Sequence, residues 1–259
     1  MKSKKILKTI SIMLSCLILL SNTHYIYASS KINTNNKIDI KEEVVYLKDG
    51  EGSLTKGNGT INNPYENIRT ALKNIKDGQI LKLIGTVSYT NYEVHTDKSP
   101  LPLFINKNII IEGASKKFST DADCDALIVR APIQLGANVT FKNINLQLVP
   151  QVILGREGAK SILGSQNPMA ATIFASGNIL TLDNVNTKVG TNSSQDKDRP
   201  YLSGGSYKNQ GSIGEKSVIN IINPNSQTKF SGIYAGDYWE ARNLDVEINL
   251  DGNILENKI

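Results

Sequence analysis

Four stretches decide the fold: Asn108-Ile-Ile-Ile-Glu-Gly113, Asn138-Val-Thr-Phe-Lys-Asn-Ile-Asn-Leu146, Asn178-Ile-Leu-Thr-Leu-Asp-Asn-Val-Asn186 and Ser217-Val-Ile-Asn-Ile-Ile-Asn223. Each opens on a polar residue, runs through β-formers at alternate positions and breaks at Asn, Asp or Gly. The first three begin about 30 and 40 residues apart, too far for hairpin partners and suited to successive coils of a β-solenoid. Alternation places Val139, Phe141, Ile144 and Leu146 inside, with a change of phase near Asn143 where the chain turns a corner.

Outward from these stretches the pattern repeats. Ala126-Leu-Ile-Val-Arg-Ala131 precedes the Asn138 stretch and Ala171-Thr-Ile-Phe-Ala175 precedes the Asn178 stretch, with turns at Gly136 and Gly177. Phe230 to Gly236, followed by Leu244 to Leu250, reads as a third and looser copy. Two insertions, 147–169 and 187–216, are rich in Gly, Ser, Asn and Pro. Loops of that length on a rigid scaffold are usually functional or disordered.

Towards the N-terminus, Val44-Val-Tyr-Leu47 is a short β run, and a Gly-rich turn leads to Asn63-Pro64-Tyr65. Ile68, Ala71, Leu72 and Ile75 then fall at i, i+3, i+4 and i+7, which predicts a helix over 66–77 with one apolar face. Asp77-Gly78 supplies its stop, Gly taking the left-handed position. Gln79-Ile-Leu-Lys-Leu-Ile84 resumes the β pattern.

This order of strand, Gly-rich turn, Asn-Pro-Tyr, helix and strand resembles the N-terminal lead-in of right-handed parallel β-helix proteins of the pectate-lyase-like superfamily. The residues that carry the likeness are Gly57, Gly59-Thr60, Asn63-Pro64-Tyr65, Ile68, Ala71-Leu72, Ile75 and Gly78-Gln-Ile-Leu-Lys-Leu83. The resemblance implies an all-β fold, a right-handed parallel β-helix whose short N-terminal α-helix caps the first coil. It is nearly silent on activity, because one fold hosts many functions.

Lys2, Lys4, Lys5 and Lys8 ahead of the apolar run Ile10 to Leu20, with Ala28 before Ser29, read as a cleaved export signal over 1–28. Residues 29–43 read as a flexible leader and 44–259 as the β-helix domain, its C-terminal end incomplete or uncapped. The run is too short for a membrane span of about 20 residues, so no stable insertion is expected after cleavage. The chain holds 29 Lys and Arg against 24 Asp and Glu, but four of those lysines lie in the signal and the remainder is near neutral. The basic balance is therefore no sign of a nucleic-acid partner. Only Cys124 remains after cleavage, so no internal disulfide forms. Abundant Asn with 6% aromatics suits side-chain ladders at coil corners, and equally suits biased codon usage.

Catalytic chemistry is poorly provided for. His24 lies in the signal and His95 in a polar loop, so nucleophile–histidine arrangements rest on one candidate. Asp121, Asp123 and Asp125 alternate and could offer Ca²⁺ their oxygens, but the loop lacks a Gly at its sixth position and a Glu at its twelfth. The run reads as a solvated acidic turn, and no cofactor is expected. Tyr234, Asp237, Tyr238, Trp239 and Arg242 form the most chemically loaded stretch, suited to stacking on sugar rings and equally to packing at an edge. With the insertions as walls, the strand face bearing Asn143, Asn145, Asn184 and Asn186 is the expected floor of a groove. The resulting expectation is a secreted or cell-surface, non-catalytic domain binding an extracellular polysaccharide or a surface or matrix protein. The alternatives are a β-helix lyase or glycoside hydrolase, and a structural scaffold of a larger surface protein.

Overall fold

The computed structural model describes residues 43–49, 57–89, 101–115, 125–148, 172–187, 200–207, 216–236 and 245–251. The expected signal and nearly all of the leader lie outside them. In chain order the strands are β1 (Val44–Lys48), β2 (Ile80–Ile84), β3 (Thr86–Tyr89), β4 (Leu103–Ile105) and β5 (Ile109–Gly113). There follow β6 (Ala126–Val129), β7 (Ile133–Leu135), β8 (Val139–Lys142), β9 (Asn145–Leu148) and β10 (Thr172–Phe174). The last are β11 (Ile179–Asp183), β12 (Tyr201–Ser203), β13 (Lys216–Ile222), β14 (Gly232–Tyr234) and β15 (Asp245–Leu250). One helix, α1 (Ile68–Asn74), lies between β1 and β2.

These strands form a seven-stranded sheet in the order β1-β2-β5-β8-β11-β13-β15, a five-stranded sheet β14-β12-β10-β7-β4 and a three-stranded sheet β3-β6-β9. Neighbours in all three are parallel. The chain visits the sheets in rotation: β4, β5, β6, then β7, β8, β9, then β10 and β11, after which Asn186 bridges in parallel to Asn145 of β9. Among the described residues the protein is all-β apart from α1, and its stacked parallel sheets are compatible with a parallel β-helix.

Each of the four quoted stretches supplies a strand to the seven-stranded sheet, β5, β8, β11 and β13, but their opening residues do not align. Ile109 pairs with Val139, whereas Val139 pairs with Leu180, one residue beyond the alignment suggested by Asn138 and Asn178. Core burial sets this offset. Val139, Phe141, Leu180 and Leu182 are buried, while Ile179 is exposed. A shift of one would turn each of these side chains to the opposite face. Val139, Phe141, Ile144 and Leu146 are all buried, with Asn143 at a positive φ of 49° where the phase changes. Asn184 and Asn223 repeat that conformation, at φ 51° and 47°, on the next two coils. Asn tolerates the left-handed region better than bulkier residues, which is why it recurs at this corner.

The helix is shorter than the periodicity implies. It ends at Asn74, and Ile75 is already extended at ψ 147° while its side chain stays in the core. Gly78, at φ +83°, belongs to the turn that follows, not to the helix C-terminus. Asn67 caps the start, its Oδ1 accepting from the N–H of Arg69 at 2.8 Å and of Thr70 at 3.3 Å. Ile68, Ala71, Leu72 and Ile75 join the same core as β1 and β2. The outer edge of β1 is covered as well: Tyr46 donates its N–H to Gly59 O, and Tyr65 donates to Tyr46 O. The insertion expected over 187–216 is not all loop, since it contains β12, and β13 begins at Lys216.

Candidate binding surface

The five-stranded sheet turns one column of side chains away from the core: Phe104, Gln134, Phe174, Ser203 and Tyr234 stand in register on β4, β7, β10, β12 and β14. The middle of the column is buried. Phe174 packs against Tyr207 with ring centroids 5.6 Å apart, forming a small second core outside the main one. Both ends are open, with Phe104 41% and Tyr234 44% exposed.

At the Tyr234 end the rings of Tyr201 and Tyr234 stack, 5.8 Å apart and 20° from parallel. Gly232 leaves room for the stack, since a Cβ there would lie 3.2 Å from the Tyr201 ring and press it by a few tenths of an ångström. The backbone beneath is held firmly. Gly204 donates its N–H to Tyr234 O at 2.9 Å, and Ser203 Oγ donates to Gly236 O at 3.0 Å. A Cβ on Gly204 would approach Ala235 O to 2.8 Å, so only glycine lets the two coils close at that point. The result is an exposed aromatic step on a stiff support.

The outer face of the seven-stranded sheet carries Ile110, Ile179 and Val218 beside a charged column that largely neutralises itself. Lys82, Glu112, Lys142 and Asp183 share one column of β2, β5, β8 and β11. Lys82 pairs with Glu112 at 3.3 Å and Lys142 with Asp183 at 3.9 Å. On the last strands Lys216 and Glu247 form an ion pair; hydrogen bonding to the carboxylate raises the Lys216 pKa, and the ammonium lowers that of Glu247.

The expected site residues meet different fates. Tyr234 is on the exposed step, whereas Asp237, Tyr238, Trp239 and Arg242 lie outside the described residues, as do Asp121 and Asp123. Asp125 is not in a solvated turn. It is 6% exposed, and its oxygens accept the N–H of Gly85 at 2.7 Å and of Ser115 at 2.5 Å. The expected Asn floor is also corrected. Asn145 and Asn186 are buried and hydrogen-bonded to each other, Asn186 Nδ2 donating to Asn145 Oδ1 at 2.8 Å. Asn143 and Asn184 form a corner rung, Nδ2 of Asn184 donating to Oδ1 of Asn143 at 2.9 Å. The amides join successive coils as a corner ladder, with Asn145 and Asn186 buried and Asn143 and Asn184 half-buried.

Tyr201 is the residue that sequence reasoning missed. The available signal was the likeness of Tyr201-Leu-Ser-Gly-Gly205 to Gly232-Ile-Tyr-Ala-Gly236, two short strands each ending at glycine. Among the described residues no three of His, Cys, Asp and Glu converge, and no helix is long and apolar enough to cross a membrane. No family model, curated protein or solved structure matches the chain.

Proposed function

We propose that this chain is a secreted or cell-surface, non-catalytic domain with a right-handed, pectate-lyase-like parallel β-helix fold, which binds an extended extracellular glycan. The observation that carries this reading is the exposed Tyr201–Tyr234 step. Aromatic faces favour the apolar faces of pyranose rings, and each such contact contributes about 1 kcal/mol. A neutral glycan suits this sheet better than a polyuronate, because β4, β7, β10, β12 and β14 carry no basic residue. A matrix protein is the second class of partner to be tested.

The experiment is a glycan and matrix-protein array with the full chain lacking residues 1–28, followed by calorimetry on the best neutral oligosaccharide. Tyr234→Ala and Tyr201→Ala are expected to weaken that binding about five-fold each, the equivalent of about 1 kcal/mol, while the fold is retained. Unchanged affinity in both variants, or binding to matrix proteins alone, overturns the glycan reading. Incubation with polygalacturonate and Ca²⁺ is expected to yield no unsaturated product; its formation would overturn the non-catalytic assignment.

A further inference from the structure

The turn that covers β1 contains Asn58-Gly59, the one Asn-Gly pair in the chain. Such a pair is prone to cyclise, because glycine has no Cβ to hinder the approach of its nitrogen to the neighbouring side chain. The Gly59 nitrogen attacks the carboxamide carbon of Asn58. The new C–N bond closes a succinimide, and the side-chain nitrogen leaves as ammonia. Water then opens the ring at either of its two carbonyls. One product is aspartate. The other is isoaspartate, whose main chain runs through the former side chain and is one carbon longer.

In the closed turn both reacting groups are held. Gly59 donates its N–H to Asn63 O at 3.1 Å, and the Asn58 N–H shares that acceptor at 3.0 Å. The Asn58 carboxamide oxygen accepts from Thr60 N–H at 3.2 Å and from Thr60 Oγ1 at 2.8 Å. Asn58 is exposed, so these bonds and not burial keep it in place. Cyclisation takes the proton from the Gly59 nitrogen and swings the carboxamide carbon onto it. The bonds to Asn63 and Thr60 must open first, and a reaction that needs local opening is slowed by its free energy.

The two products fit the closed turn differently. Aspartate keeps an oxygen where Oδ1 accepts from Thr60. Isoaspartate lengthens the main chain next to Gly59, which is buried. A carbon added at Gly59 would lie 2.6 Å from the Tyr65 ring and 2.9 Å from Val45 Cγ1. Gly59 O also accepts the Tyr46 N–H at 2.8 Å, a bond that a lengthened chain displaces.

We infer that Asn58 is a site of spontaneous deamidation gated by this turn. It is slow to react while the turn covers β1, and once converted to isoaspartate it keeps the turn from closing again. An opening that lasts long enough to react becomes permanent and leaves the edge of β1 unpaired.

The test follows the chain lacking residues 1–28 at neutral pH, folded and in guanidinium chloride. Peptide mapping reads the change from amide to acid at Asn58 by mass, and enzymatic methylation reads the isoaspartate. Conversion is expected to be at least about ten-fold slower in the folded chain, the equivalent of about 1.4 kcal/mol of opening. Asn58→Asp is expected to fold with its Tyr46 N–H protected from hydrogen exchange. The isoaspartate form, made in denaturant and returned to buffer beside unconverted chain, is expected to leave that N–H unprotected. Equal rates in the folded and the denatured chain overturn the gate, and no conversion in denaturant overturns the site. An isoaspartate form that protects Tyr46 as well as the unconverted chain does overturns the lasting effect.

Discussion

Asp125 joins three successive coils through one residue. Its carboxylate holds Gly85 and Ser115, and its backbone oxygen accepts from Asn145 N at 3.1 Å. Gly113 makes the fit possible, since a Cβ there would lie 2.5 Å from Asn143 O and 3.1 Å from the Asp125 carboxylate. Asp125→Asn exchanges one acceptor oxygen for an NH₂ that faces an N–H donor. We expect a loss of about 1–3 kcal/mol, the cost of leaving a buried donor unsatisfied, read as a lower urea midpoint at unchanged slope. A midpoint equal to wild type would mean that the carboxylate contacts contribute nothing. The sequence showed only an acid in an acidic run. Burial was not legible there, because Gly85, from the preceding coil, is brought to the carboxylate by coil stacking.

At the scale of the element, α1 is too short to be stable alone, since isolated helices below about 12 residues are marginal in water. Its stability comes from burying Ile68, Ala71 and Leu72 in the core. Ile68→Ala and Leu72→Ala are each expected to cost about 2–5 kcal/mol, against little change for the exposed Lys73→Ala, measured by denaturant unfolding. Equal midpoints for all three would show that the helix covers nothing. The apolar spacing identified the helix and its buried face correctly. It overran the C-terminal end because Ile75 keeps the same buried face in an extended conformation. Spacing reports the direction of a side chain, not the ψ angle beneath it.

At the scale of the molecule, hydrogen-bonded rails run along the stack. One starts at Asp77, whose Oδ1 accepts from Asn108 N at 2.7 Å. It continues from Asn138 N to Asn108 Oδ1 at 3.1 Å and from Ile179 N to Asn138 Oδ1 at 2.9 Å. Another joins Glu112, Asn143, Asn184 and Asn225 by successive amide donors. Asn108 N–H holds the Asp77 pKa below its ordinary 3.8, and Lys216 does the same for Glu247 at the last coil. A folded-state pKa below the unfolded value gives stability that is complete above the unfolded pKa. It disappears as the pH falls through the folded value. Acid is therefore expected to weaken both ends of the stack, and Asp77→Asn with Glu247→Gln should flatten thermal stability between about pH 5 and pH 2. A double variant with the same acid profile as wild type would overturn the assignment.

Residue order alone carries the elements that repeat: the alternating strands, the phase change at Asn143, the apolar face of α1 and the looser last copy at β14 and β15. Local spacing suffices for these, because it dictates which side chains share a face. Coil stacking settles the one-residue offset between β8 and β11, the burial of Asp125, Asn145 and Asn186, the strand hidden at Tyr201–Ser203 and its ring stacked on Tyr234. Each depends on which residue of one coil lies above which residue of the next. The loops between coils differ in length, so distance along the chain does not give that registry. The shared core sets it, by admitting apolar side chains from one face only.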